Sequence, residues 1–138
     1  MDLRFQGDLI ASRLSRAELL VLAQRRDEAL EEMRLAYEQA LQITEQFPGA
    51  SMANDQVVKA SFLAWHLGEP FDQPARNTST ALDLYGSGRS CSGALTSLRL
   101  ALMENLPAAA DEHARFLASR GYADFSYGFI CSNYSVCG

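Results

Sequence analysis

The 138-residue sequence predicts an all-α fold of about six helices in three antiparallel hairpins (α-solenoid or helical-repeat class), closed by a short aromatic C-terminal cap. Three observations predict it. Ala17 to Leu41, AELLVLAQRRDEALEEMRLAYEQAL, reads as two amphipathic helices joined by a tight turn at Gln24 to Asp27. A weaker copy of that plan recurs twice downstream. Pro and Gly fall where each apolar run has to stop.

In the first helix Leu9, Ile10, Leu14, Ala17, Leu20 and Val21 recur at steps of three and four, which places the element at about Asp8 to Ala23. Arg25, Arg26 and Asp27 supply a polar turn. The second helix then carries Ala29, Leu30, Met33, Ala36, Tyr37, Ala40 and Leu41 on one face and ends at Pro48 and Gly49. Ser51 is the expected N-cap of a third helix through Leu67, with Val57, Val58, Phe62, Leu63 and Trp65 as its apolar residues and Gly68, Glu69 and Pro70 as its stop. A fourth, short helix is expected from Pro74 to Tyr85, before the loop GSGRSCSG at Gly86 to Gly93. Gly93 to Met103 restores a strong helical pattern, Asn105 and Leu106 make a turn, and Pro107 opens a sixth helix to Ser119 that stops at Gly121.

The tail from Tyr122 to Gly138 is different. Phe125, Tyr127, Phe129 and Cys131 alternate with small or polar residues, which suits an extended segment, while Phe125, Phe129 and Ile130 suit a short capping helix. Either way the tail is expected to cover the last hairpin, with Phe125 and Phe129 docked against Leu98, Leu102 or Leu117.

The totals exclude several classes. A hydrophobic share of 48% and a charged share of 21% are those of a globular chain, against disorder or a fibrous protein. One domain over residues 1–138, with 122–138 as its cap, is the expected organisation, and a chain this long buries roughly 68% of its unfolded surface without needing disulfides. A net charge of −5 argues against nucleic acid and against an anionic membrane surface. No run approaches the roughly 20 apolar residues of a membrane span, and the N-terminus lacks the apolar core of a signal peptide. A cytoplasmic location is expected, and with it Cys91, Cys131 and Cys137 as thiols; in an oxidising compartment Cys131 and Cys137 would close a small loop.

With the hairpins placed, QRRDEAL followed by Met33 and Ala36 resembles the turn and second helix of a tetratricopeptide repeat. Ala29, Met33 and Ala36 fill the close-packed places of the first unit; Ala75, Ser79 and Leu82 those of the second; Ala110, Ala114 and Leu117 those of the third. Ser61, Ala64 and Gly68 are repeat-like in the first helix of unit two. The chain departs from the family at Arg13, Arg16 and Leu41, and Ala29, Ala75 and Ala110 are spaced by 46 and 35 residues against a period of about 34.

The resemblance implies a non-catalytic scaffold in which the first helix of each hairpin lines a concave groove for a peptide or helix of a partner protein. The matching positions include Glu18 and Leu22 in unit one, Phe62, Trp65 and His66 in unit two, and Arg99 and Met103 in unit three. Trp and Arg are the residue types that dominate interfaces when desolvated. The rival expectation is a small helical-bundle enzyme or ligand-binding protein with a pocket near Trp65, His66 and His113; a third is that the hairpins are the partner-sensing end of a larger regulator or transferase. No catalytic, cofactor or metal residue is assigned: the two histidines lack HxxxH or ExxH spacing, and the glycine-rich loop around Cys91 lacks the GK[ST] ending of a phosphate cradle.

Overall fold

The structure, a computed structural model, describes residues 3–47, 49, 51–71 and 90–137. Every regular element among them is a helix: α1 (Leu3–Leu22), α2 (Arg26–Gln46), α3 (Ser51–His66), α4 (Cys91–Met103), α5 (Pro107–Ser119) and α6 (Phe125–Asn133). The chain divides into two compact units, Met1–Asn77 with α1, α2 and α3, and Thr78–Gly138 with α4, α5 and α6. The helix expected from Pro74 to Tyr85, with Ala75, Ser79 and Leu82, lies outside the described residues.

In the first unit α2 packs against both α1 and α3. Their shared core is Ile10 and Leu14 from α1, Ala36, Tyr37, Ala40 and Ile43 from α2, and Ala53, Val57 and Ala60 from α3, with Phe71 stacked on Tyr37 at 4.5 Å between ring centroids. Alanine and other small residues occupy the centre of this seam, so the helix backbones approach closely. α1 starts at Leu3, earlier than the sequence pattern predicts, and runs through Gly7. A glycine inside a helix costs about 1 kcal/mol relative to alanine, but here a side chain would collide with Met52 of α3. The same stretch is tied down by Gln56, whose Nε2 donates to the Gly7 carbonyl at 2.9 Å.

Four helices end in one and the same way. In each, a residue with positive φ donates its N–H to the carbonyl three back, and the next residue reaches the carbonyl five back: Gln24 and Arg25 after α1, Gly68 and Glu69 after α3, Asn105 and Leu106 after α4, Gly121 and Tyr122 after α5. These bonds satisfy carbonyls that the helix leaves open. Gly68 and Gly121 take the left-handed conformation freely, whereas Gln24 (φ 62°) and Asn105 (φ 56°) hold it with a side chain. Arg26 adds a link across the unit: its Nη2 donates to the Leu67 carbonyl at 2.9 Å and to Glu69 Oε1 at 3.1 Å, so the start of α2 covers the end of α3.

In the second unit α4 packs against α5. Ser90 caps α4 by accepting from the Gly93 N–H at 3.0 Å, so the last residues of the expected loop belong to the helix, Cys91 included. Pro107 opens α5, whose Ala110, Ala114 and Leu117 are buried. The tail resolves to a helix. Asp124 caps α6 through the Ser126 N–H at 2.8 Å, and Ser126, Tyr127, Phe129 and Ile130 are buried at helical spacing. Tyr127 donates to the Ala114 carbonyl of α5 at 3.4 Å. One expectation fails here: Phe129 is buried, but Phe125 is 52% exposed, because the buried face of α6 is centred on positions 126, 127 and 130 and Phe125, the first residue of the helix, falls outside its edge.

The thiol expectation also fails for two cysteines. Cys131, in the last turn of α6, is joined to Cys137 by a disulfide across a Cα separation of 5.3 Å, while Cys91 is a free, half-buried thiol. Such a bond persists in oxidising compartments and is reduced in most cytosols.

Candidate interaction surface

Seven residues carry the partner surface that the resemblance implies, and the structure places them in three different environments. Leu22, in the last turn of α1, is 52% exposed, with Leu19 exposed one turn before it. Trp65, His66 and Met103 are half-buried. Glu18, Phe62 and Arg99 are buried. Glu18, Leu22, Phe62, Trp65 and His66 belong to the first unit, Arg99 and Met103 to the second.

Each buried member has a neighbour within its own unit. Glu18 is 2% exposed and receives the Lys59 ammonium at 2.8 Å, which pins α1 to α3. Lys59 is the only lysine of the chain. Phe62 meets Trp65 ring to ring at 5.8 Å between centroids on the same face of α3. Arg99 lies close enough to Tyr122 to lower that phenol's pKa, an effect outweighed by burial and by Asp124, so the pKa stays raised overall. His66 and His113 are both half-buried and both held below the usual imidazole range by desolvation, partly offset at His113 by the neighbouring Glu112 carboxylate. His66 is in the first unit and His113 in the second.

Along α1 and α2 the contacts change character from one end to the other. Near the turn they are ionic: Arg13 and Arg16 both approach Glu32, at 3.3 and 3.6 Å. At mid-length they are small and apolar, with Ala36 and Ala40 fully buried. At the far end the seam opens into a pocket of about 250 Å³ whose apolar wall is Leu9, Ile10 and Ile43 and whose polar wall is Gln6, Gln39, Gln42 and Gln46. The Oε1 of Gln39 is shielded from solvent and has no hydrogen-bond partner among the described residues; an unmet acceptor of this kind costs about 1–3 kcal/mol. The helical pattern did not single out these glutamines, although Gln39, Gln42 and Gln46 recur at steps of three and four beside the apolar Ile43, on the face that meets α1. That spacing was the available signal.

Among the described residues no group of three or more His, Cys, Asp or Glu side chains is placed to hold a metal ion, and no helix is long and apolar enough to cross a membrane. Compared with protein-family models, with curated proteins and with solved structures, the chain matches none.

Proposed function

We propose that the chain is a tetratricopeptide-like stack of antiparallel hairpins and acts as a non-catalytic scaffold that takes a peptide or helix of a partner protein on the first helices of its hairpins. The observation that carries this reading is the division of labour along α1 and α2. Ala29, Met33 and Ala36, the close-packed places of the first repeat-like unit, are fully buried, while Leu19 and Leu22 stand exposed on α1. Small residues bring the backbones together, and large apolar ones remain for another surface. Arg16 meets Glu32 near the turn while Gln6 and Gln46 share a pocket at the far end, which supports an antiparallel first hairpin.

Within that reading the contact residues of the first unit are Leu22 on α1 and Trp65 and His66 on α3, with Glu18 and Phe62 buried in the same unit; in the second unit, taken by itself, the contact residue is Met103 on α4, with Arg99 buried on the same helix. The test is a selection of displayed peptides on the whole chain, followed by affinity measurements with Leu22→Asp and Trp65→Ala. Both variants are expected to weaken the selected peptides about tenfold or more, as interface anchors do, with the helical circular dichroism spectrum retained. Unchanged affinity in both variants overturns the proposal, as does a selection that enriches no peptide.

A further inference from the structure

We propose that the pocket between α1 and α2 binds a small uncharged molecule that carries an N–H donor on a compact apolar body. This goes beyond the scaffold reading and does not depend on it, since none of the contact residues named above lines the pocket. The size comes first. About 250 Å³ exceeds the roughly 150 Å³ cavity that admits benzene, so one ring with a short polar substituent fits. The pocket is open at one side, where Leu9 is 40% exposed, while Ile10 and Ile43 are buried at its floor.

The polar wall decides the chemistry. Four carboxamides line it and no charged side chain does. An ionic ligand would lose its hydration with no counter-charge to replace it, which disfavours carboxylates, phosphates and amines alike. A carboxamide offers both a donor and an acceptor, so neutral groups of the same kind complement the wall. Gln39 fixes the polarity of the first bond: its Oε1 is an acceptor without a donor. A bound amide N–H supplies the donor that this oxygen lacks among the described residues, and the ligand's apolar body covers Leu9, Ile10 and Ile43.

Elsewhere the two helices meet through alanines and aliphatic residues or through the contacts of Arg13 and Arg16 to Glu32. At this pocket a buried carboxamide oxygen without a hydrogen-bond partner among the described residues belongs to a side chain that lines room for a ligand.

The experiment is a titration of the ¹⁵N-labelled whole chain with three probes of one size: benzamide, benzoate and toluene. Benzamide is expected to give saturating shifts at the backbone amides of Ile10, Gln39 and Ile43, with benzoate and toluene at least about tenfold weaker, the loss that follows from a missing donor or an uncompensated charge. Gln39→Leu is expected to weaken benzamide by about the same factor and to leave toluene no weaker. Leu9→Trp, at a half-exposed position that tolerates a larger side chain, is expected to fill the mouth and abolish binding. The proposal is overturned if benzamide fails to saturate, if toluene or benzoate matches it on the native chain, or if Gln39→Leu binds benzamide as the native chain does. The probe comparison stands by itself should Gln39→Leu fail to fold.

Discussion

Replacing Lys59 by Met, with Glu18 left in place, tests what the buried ion pair does for the first unit. Glu18 is 2% exposed, and the Lys59 side chain retains 16% exposure at a separation of 2.8 Å. Removing one partner of a buried pair strands the other charge, at about 3–5 kcal/mol. Lys59 is the better one to remove, because the carboxylate is the more deeply buried of the two and has less access to water. The expected loss for Lys59→Met is therefore about 3 kcal/mol, roughly one fifth to three fifths of a typical domain's stability of about 5–15 kcal/mol. Replacing both residues, Glu18→Leu with Lys59→Met, removes both desolvation penalties at once, and the double variant is expected to fall within about 1 kcal/mol of the native chain. Guanidinium unfolding followed by far-ultraviolet circular dichroism at pH 7 measures all four members of the cycle. A Lys59→Met variant that loses less than about 1 kcal/mol, or a double variant whose loss equals the sum of the two single losses, refutes the reasoning, because either result means the two charges do not depend on each other.

Two further predictions concern the helix ends and the histidines. Gln24 holds φ at 62° in an exposed turn, and a left-handed side-chain-bearing residue costs about 1–2 kcal/mol, of which glycine's extra freedom in the unfolded chain returns about 0.5–1 kcal/mol. Gln24→Gly is thus expected to raise stability by about 0.5–1 kcal/mol, read as a higher denaturation midpoint at unchanged slope; a lower midpoint contradicts it. His66 and His113 have pKa values depressed by burial, so below about pH 6.5 the unfolded chain binds protons that the folded chain refuses. Their contribution is fully present above that pH and is lost as the pH falls toward the folded values. Unfolding measured at pH 7.5 and 5.5 is expected to show a loss at the lower pH that shrinks in His66→Gln with His113→Gln; an unchanged pH dependence in the double variant removes the histidines as its cause.

Much of the fold is written in the spacing of apolar and punctuating residues. Ile10, Leu14, Ala36 and Ala40 recur with the period of a helix that has one buried face, and that period predicts the faces that meet in the core. Gly68, Pro107 and Gly121 mark ends and starts through their own backbone preferences, which act within a few residues and need no tertiary partner. Ala29, Met33, Ala36, Ala110, Ala114 and Leu117 are buried on the apolar faces that helical spacing predicts, although pattern alone does not say which side chains a neighbouring helix will cover.

Tertiary contact decided the rest. α1 runs through Gly7, whose carbonyl accepts from Gln56 of α3, a residue 49 positions away in sequence. Glu18 enters the sequence reading only as a groove position, yet it is buried against Lys59, which lies 41 positions away in sequence and 2.8 Å away in space. In the tail, period two suggests an extended segment and a capping helix is nearly as compatible with the residues; the Asp124 cap and the burial of Tyr127, Phe129 and Ile130 select the helix and leave Phe125 exposed. The pocket lined by Gln39 needs two helices to exist at all. Periodicity and turn chemistry are properties of neighbours along the chain, so the sequence determined the helices and most of their ends. Burial, ion pairing and cavities are properties of neighbours in space, and only the packed structure decided which polar groups were enclosed and which were left open.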